Sequence, residues 1–228
     1  MSSPITKLIV CLANSRKPPS GRCVAGREYS GGHVGSWVRP VSDRSGLEIS
    51  EEERRYDDGT QVAVLDVVQI AFLAPQPNNH QTENYVIDRG YHWLKVGQCT
   101  FSDVLPMVQR PSSLWVDGYK TFHGQNDQVP QSAAADLHDS LVLIRPKKVR
   151  LRVSSDSQFT GGHRRRVRAE FQVGSSQYLI VVTHPEVEQK YLAQPDGDYD
   201  VSGSILCVSL ADFWNGNASK LVATVITP

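Results

Sequence analysis

Apolar positions along this chain come in alternating patterns and short continuous runs, with little helical spacing. The runs "KLIVCLAN" (7–14), "RCVAGREY" (22–29) and "SWVRPV" (36–41) are punctuated by Pro and Gly and predict three strands. "GTQVAVLDVVQIAFL" (59–73) predicts a buried strand pair or one long bent strand, and "ENYVID" (83–88) a further strand. "LEISEEERRY" (47–56) holds Ser50 three residues before Glu53, a capping box that predicts a short acidic helix. "FSDVLPMVQR" (101–110) predicts another, capped by Ser102 and limited by Pro106. From Tyr119 to Asp136 the chain turns polar, as a linker would. A second β set follows at 140–155, 165–173, 177–185, 204–210 and 220–227. "PEVEQKYL" (185–192) opens with Pro at a predicted first helical turn, and "SLADFWNG" predicts a helical turn ending near Gly216. The pattern predicts a mostly β protein built as two tandem β-barrel-like domains with a few short helices. They are an N-terminal barrel over residues 1–125 and a C-terminal barrel over 126–228.

Composition adds limits. The 228 residues carry no formal net charge, and the two halves are each balanced, so bulk charge points to neither nucleic acid nor membrane. The four cysteines, Cys11, Cys23, Cys99 and Cys207, form no CxxC pair, and three of them sit in apolar runs. They read as reduced, buried thiols of a cytoplasmic protein, with no metal site expected. The apolar run near the start is too short for a signal peptide, and no run has the length of a membrane helix. There is no GxSxG elbow, HExxH, Walker loop or dinucleotide fingerprint, so no enzyme and no cofactor are expected.

Local charge is uneven where the total is not. Residues 145–168 hold nine Lys/Arg against Asp156 alone. Lys148, Arg150 and Arg152 alternate with Val149, Leu151 and Val153; Arg164, Arg166 and Arg168 follow in "RRRVRAEF" with Val167 and Ala169 between or beside them. Side chains alternate faces along a strand, so these strands bury apolar residues and aim cations outward. Paired across the loop "SSDSQFTGGH", they would present one ribbon suited to a phosphate backbone. The competing reading is a solvated face, or one neutralised inside the molecule, with Glu48, Glu51, Glu52, Glu53, Asp57 and Asp58 as an internal partner.

A second polar group lies at 14–42. Asn14, Ser15, Arg16 and Lys17 follow the first strand, Arg22 opens the second, and Trp37 and Arg39 share a face of the third. An Arg beside an aromatic grips a base and its phosphate, and amides near Gly21 add donors. The plainer reading makes Trp37 core and Arg39 an ion-pair partner. Gln81, Glu83 and Asn84 form a third polar cluster, read as turn and strand-edge residues or as readers of a base edge. Asp66, flanked by apolar residues, needs a partner if buried, and an Arg of the first group is a candidate, which would make it structural. "YSGGHVGSWVRP" and "FTGGHRRRVRAEF" each place Gly-Gly-His before an Arg-bearing strand, a weak sign of duplication.

In order and spacing, "LIVCLANSRKPPSGRCVAG", "WVRPVS", "LDVVQI", "HQTENYVI", "RAEFQVGSSQYLIVVTHPEV", "LCVSL" and "KLVATVI" span nearly the whole chain. Together they resemble the bacterial dual OB-containing domain family. The resemblance implies two consecutive oligonucleotide-binding-type barrels and an association with antiphage systems, with proposed sensing of nucleic acid or nucleotide. Asn14, Ser15, Arg16, Arg22, Trp37, Arg39, Pro40 and Ser42 match its N-terminal motif. His184 stands where that family pattern suggests Asp in "VTHP". The expected function is a non-enzymatic nucleic-acid-binding sensor or adaptor, favouring single strands and serving an effector protein. A nucleotide or small-anion receptor in the first barrel, or a protein-interaction subunit, is the alternative.

Overall fold

A computed structural model describes residues 4–17, 21–44, 46–157 and 163–228. Two compact units emerge, Met1–Met107 and Val108–Pro228.

In the first, β1 (Ile5–Lys17), β2 (Gly21–Ser30) and β3 (His33–Val41) form an antiparallel meander. β4 (Asp66–Pro75) returns to pair antiparallel with β1, and β5 (Asn84–Ile87) joins β4 to β3. The β3–β5 pairing is parallel, with Arg39 opposite Asn84 and Val41 opposite Val86. The circuit β1-β2-β3-β5-β4-β1 is therefore closed, which is the strand order of an OB barrel. Ile9, Cys11, Val24, Val38, Ile70, Phe72 and Trp93 fill it. β6 (Leu94–Gln98) adds to β4 from outside the circuit.

The second unit repeats the plan. Short β7 (Gln128–Pro130) precedes β8 (Leu141–Ile144) and β9 (Val149–Ser157). β8 pairs with β13 (Ile205–Trp214), while β9 pairs with β10 (His163–Val173) and with β12 (Gly197–Asp200). β11 (Ser176–Val181) follows β10, and β14 (Asn217–Ile226) follows β13. A parallel bridge from Val182 to Val222 closes β11 onto β14. β8 and β9 act as one bent first strand serving both sheets. Pro146 at the bend has no N–H for a ladder, so pairing changes partner there.

The helices are short: α1 (Phe101–Val104) with a 3-10 turn over Leu105–Met107, α2 (Gln131–Ala134) and α3 (Pro185–Leu192). α3 has Pro in its first turn, as its sequence predicts. Elsewhere the local signals resolve differently. The cap of α1 is Thr100, in a capping box with Asp103, and not Ser102. The Ser50–Glu53 box forms, with Glu53 N to Ser50 Oγ at 3.2 Å and Ser50 N to Glu53 Oε2 at 2.8 Å, but it closes turns and no helix follows. "SLADFWNG" runs on as β13, because Asn215 and Gly216, at φ 49° and 77°, make a tight hairpin turn. The second Gly-Gly of the suspected repeat lies outside the described residues.

The sequence places the domain boundary at 125/126, whereas the compact units part at Met107. The polar stretch from Tyr119 belongs to the second unit because its side chains satisfy turns: Asp127 accepts from Thr121 N at 2.7 Å, and Asn126 from Gly118 N at 2.7 Å. Ahead of it, Leu114 lies in the second core. Tyr178 Oη accepts from Leu114 N at 2.9 Å and donates to Asp117 at 2.8 Å. Lys220, fully buried, donates to Val116 O at 2.8 Å and faces Asp117 at 3.2 Å. Burial lowers the pKa of that ammonium, and Asp117 opposes the shift. Tyr178→Phe leaves the Leu114 amide and the Asp117 carboxylate short of a partner. It is expected to cost the second unit about 1–3 kcal/mol in denaturant unfolding, with residues 114–118 exchanging amide hydrogen faster.

Candidate nucleic-acid interface

The β9–β10 pairing places Arg152 directly opposite Arg168 and Arg150 opposite Glu170. Val149, Leu151, Val153, Val167 and Ala169 point into the core, so the cations share the outer face. β12 lies on the other side of β9 and sets Asp198 opposite Arg152 and Asp200 opposite Arg150. Cross-strand charges of opposite sign therefore flank the cationic stripe. Arg152 donates to Asp198 Oδ1 at 2.9 Å and to Glu170 Oε2 at 3.0 Å. Its bond to Asp198 raises the guanidinium pKa and holds the Asp198 carboxyl below the usual range. Arg150 lies 3.5 Å from Glu170 and 4.0 Å from Asp198. Arg168 is 5% exposed and makes a two-pronged pair with Asp156, at 2.7 and 2.5 Å, with Arg166 Nε 3.4 Å from the same carboxylate. Burial pushes the Asp156 carboxyl up, but hydrogen bonds and charge from Arg168 outweigh it and hold the group low.

Of the six ribbon residues read from sequence, Arg150, Arg152, Arg166 and Arg168 are thus in ion pairs. Lys148 and Arg164, both exposed, make none among the described residues, and neither does the neighbouring Lys147. Neutralisation comes from Glu170, Asp198 and Asp156 within the second unit. Of the acidic stretch at 48–58, Glu53 is engaged in its own unit, meeting Arg44 at 2.6 Å and Arg89 at 3.3 Å.

Lys147 and Lys148, outside these pairs, lie at the β8–β9 bend beside Arg145 and the paired Arg150. Arg145, Lys147, Lys148 and Arg150 rim an open cleft of about 890 Å³. Its floor is Ile144, Phe171 and Val173; Gln109, Gln172 and Gln177 supply amides, and Glu170 and Asp200 the only carboxylates. Gln109 is fixed by exchanging bonds with the β8 backbone, accepting from Leu143 N at 3.0 Å and donating its N–H to Leu143 O at 2.7 Å.

The first-barrel group is brought together only in part. The β1–β2 ladder sets Arg16 opposite Arg22 and Lys17 opposite Gly21. Trp37 lies opposite Arg27, five residues along β2 from Arg22, about 17 Å away at strand spacing. Arg39 is 3% exposed and held by Glu83 at 3.0 Å and Cys23 Sγ at 3.4 Å. Ser15 is buried, and Asn14 donates to Val62 O at 2.8 Å. Asp66 finds Tyr56 Oη at 2.9 Å and Lys95 at 2.5 Å, not an arginine. Gln81, Glu83 and Asn84 are all buried at the start of β5.

The dual OB-containing domain family model matches residues 7–225. The chain belongs to that family. No curated protein matches it. Among solved structures, the crystal structure of the tetrameric p202 HIN2 aligns at 8% identity over 99% of this chain and 94% of that chain, with a TM-score of 0.30. At that score the likeness carries no weight for fold or ligand.

In this dual OB chain the sequence singled out the basic strands but missed which ends of them stay available. The missed signal is "GDYD" (197–200), where Asp198 and Asp200 alternate as the cations do. Among the described residues no three His, Cys, Asp or Glu side chains gather into a metal site, and no helix is long and apolar enough to cross a membrane. Asp156→Ala strands the buried Arg168 and is expected to cost about 3–5 kcal/mol of second-barrel stability. Because the folded-state pKa of Asp156 is depressed, its contribution is present above the unfolded value, about pH 4, and lost as pH falls through the folded one. Unfolding free energy measured against pH should show that acid limb in the wild type and a shallower one in the variant.

Proposed function

We propose that the chain is a non-enzymatic nucleic-acid-binding module whose second OB barrel holds the phosphate backbone at the β8–β9 bend. The observation that carries this reading is the convergence of Arg145, Lys147, Lys148 and Arg150 on one open cleft, with Lys147 and Lys148 outside the ion-pair ladder. Lys147 and Lys148 make no direct ion pair among the described residues, although Lys148 lies close enough to Asp200 to lower its carboxyl pKa; they can turn to phosphate more readily than Arg152 and Arg168, which would have to give up bonds they already make. Phe171 and Ile144 are buried beneath the floor, so the cleft offers charge and amides but no exposed aromatic ring. It would therefore grip the backbone with little sequence preference. We attach to this binding the role that the family resemblance implies, a cytoplasmic sensor or adaptor acting with an effector protein in antiphage defence. The first barrel is less suited to a nucleotide, since Arg39 is buried against Glu83 and Trp37 is remote from Arg22.

Fluorescence anisotropy with labelled single-stranded DNA, single-stranded RNA and duplex across a salt series tests the reading. Four phosphate contacts on a single strand give log K against log[salt] a slope of about −3. Lys147→Glu with Lys148→Glu is expected to flatten that slope by about 1.5 and weaken binding to all sequences alike. An unchanged slope in the double variant would remove the cleft from the interface.

A further inference from the structure

At the far end of the β9–β10 hairpin, a second set of groups is arranged around Phe122. This ring is 91% exposed, more than any other large apolar side chain among the described residues. Its loop is nonetheless tied down. Thr121 N and Oγ1 both bond the Asp127 carboxylate, at 2.7 and 2.5 Å, and the backbone O of the buried Asp127 accepts from Lys220 N at 2.8 Å. A Cβ at Gly124 would overlap the Asp127 carboxylate, so the turn closes tightly on that side chain. Asn126 anchors the loop to β11 through Gln177 O at 2.9 Å. A large apolar ring held out in water by a fixed loop gains nothing for folding.

Its surroundings indicate what it would meet. His123 packs edge-on against Phe122, with centroids 4.8 Å apart at 89°, and His123 Nδ1 is 3.8 Å from Asp156 Oδ1. Arg164 stands directly opposite Asp156 across the ladder and is exposed, and Arg166 follows on the same face. An exposed π face beside a cationic strand end suits a flat ring that carries a phosphate. We propose that Phe122 is a stacking platform for one unpaired nucleobase, with Arg164 receiving the adjoining phosphate. This rests on the reading of the chain as a nucleic-acid binder and adds to it a reason to prefer single strands, because a paired base has no free face to offer. Asp156, opposite Arg164, lies eight residues along the strand from Lys148, roughly 27 Å at strand spacing, so this end is separable from the cleft by substitution.

The test uses a short single-stranded DNA carrying 2-aminopurine, with a duplex of the same sequence in parallel. Stacking on Phe122 should quench the 2-aminopurine emission on binding by the wild type. Phe122→Ala should abolish the quench and weaken single-strand binding about tenfold or more, leaving duplex affinity, the salt slope and the melting temperature unchanged. Phe122→Trp should keep the quench. Wild-type single-strand affinity and quench in Phe122→Ala would overturn the platform while leaving the backbone reading intact. Equal losses for single strand and duplex would also overturn it, because a backbone contact would explain them. Absence of any binding by the wild type at low salt would overturn both.

Discussion

The second barrel closes because one stretch of chain, Leu141–Ser157, is shared between two sheets. Its first part pairs with β13 and its second with β10 and β12, and the change of partner falls at Pro146, which has no N–H to give to either ladder. Leu141–Ile144 is buried throughout, and Val149, Leu151 and Val153 turn into the core beyond the bend. The polar residues between them cannot enter the barrel. Arg145, Lys147 and Lys148 are thus pushed out together by the requirement that the strand bend, and the cleft is a by-product of closure.

The same alternation that fills the core also decides the electrostatics outside it. Arg150 and Arg152 lie between acidic neighbours on both sides, Asp198 and Asp200 on β12 and Glu170 on β10. Exposed pairs of this kind are each worth about 0–1 kcal/mol, so the ladder adds little to stability. Its larger effect is to cancel charge in the middle of the face and leave it at the two ends, at Lys147 and Lys148 by the bend and at Arg164 by the loop. The Arg168–Asp156 pair differs because it is buried, and removing one member would leave the other without compensation.

Much of this architecture was legible in the sequence. Period-two alternation located nearly every long strand, and motif order pointed to two OB-type barrels. What failed was local chemistry with more than one structural use. Ser50 and Glu53 form their capping box around a turn, since Ile49 and Tyr56 are drawn into the first barrel's core. Asn215-Gly216 reads as the end of a helical turn until β13 and β14 are seen on either side of it. The stretch from Tyr119 to Asp136 has linker composition, yet its Asp and Asn side chains cap turns packed on the second unit. Charge was the hardest to read. A run of nine cations looks available along the chain, but pairing register brings Asp198 and Asp200 from about fifty residues away, and no one-dimensional pattern states that.

Nucleic acid, on the function proposed above, meets the second barrel at the bend of its first strand. Amide chemical-shift mapping of the isotope-labelled full chain, titrated with a single-stranded oligonucleotide, tests it most directly. The largest shifts should cluster at residues 145–150 and 172–177. Shifts confined to the first barrel, around Arg16 and Arg22, would contradict it.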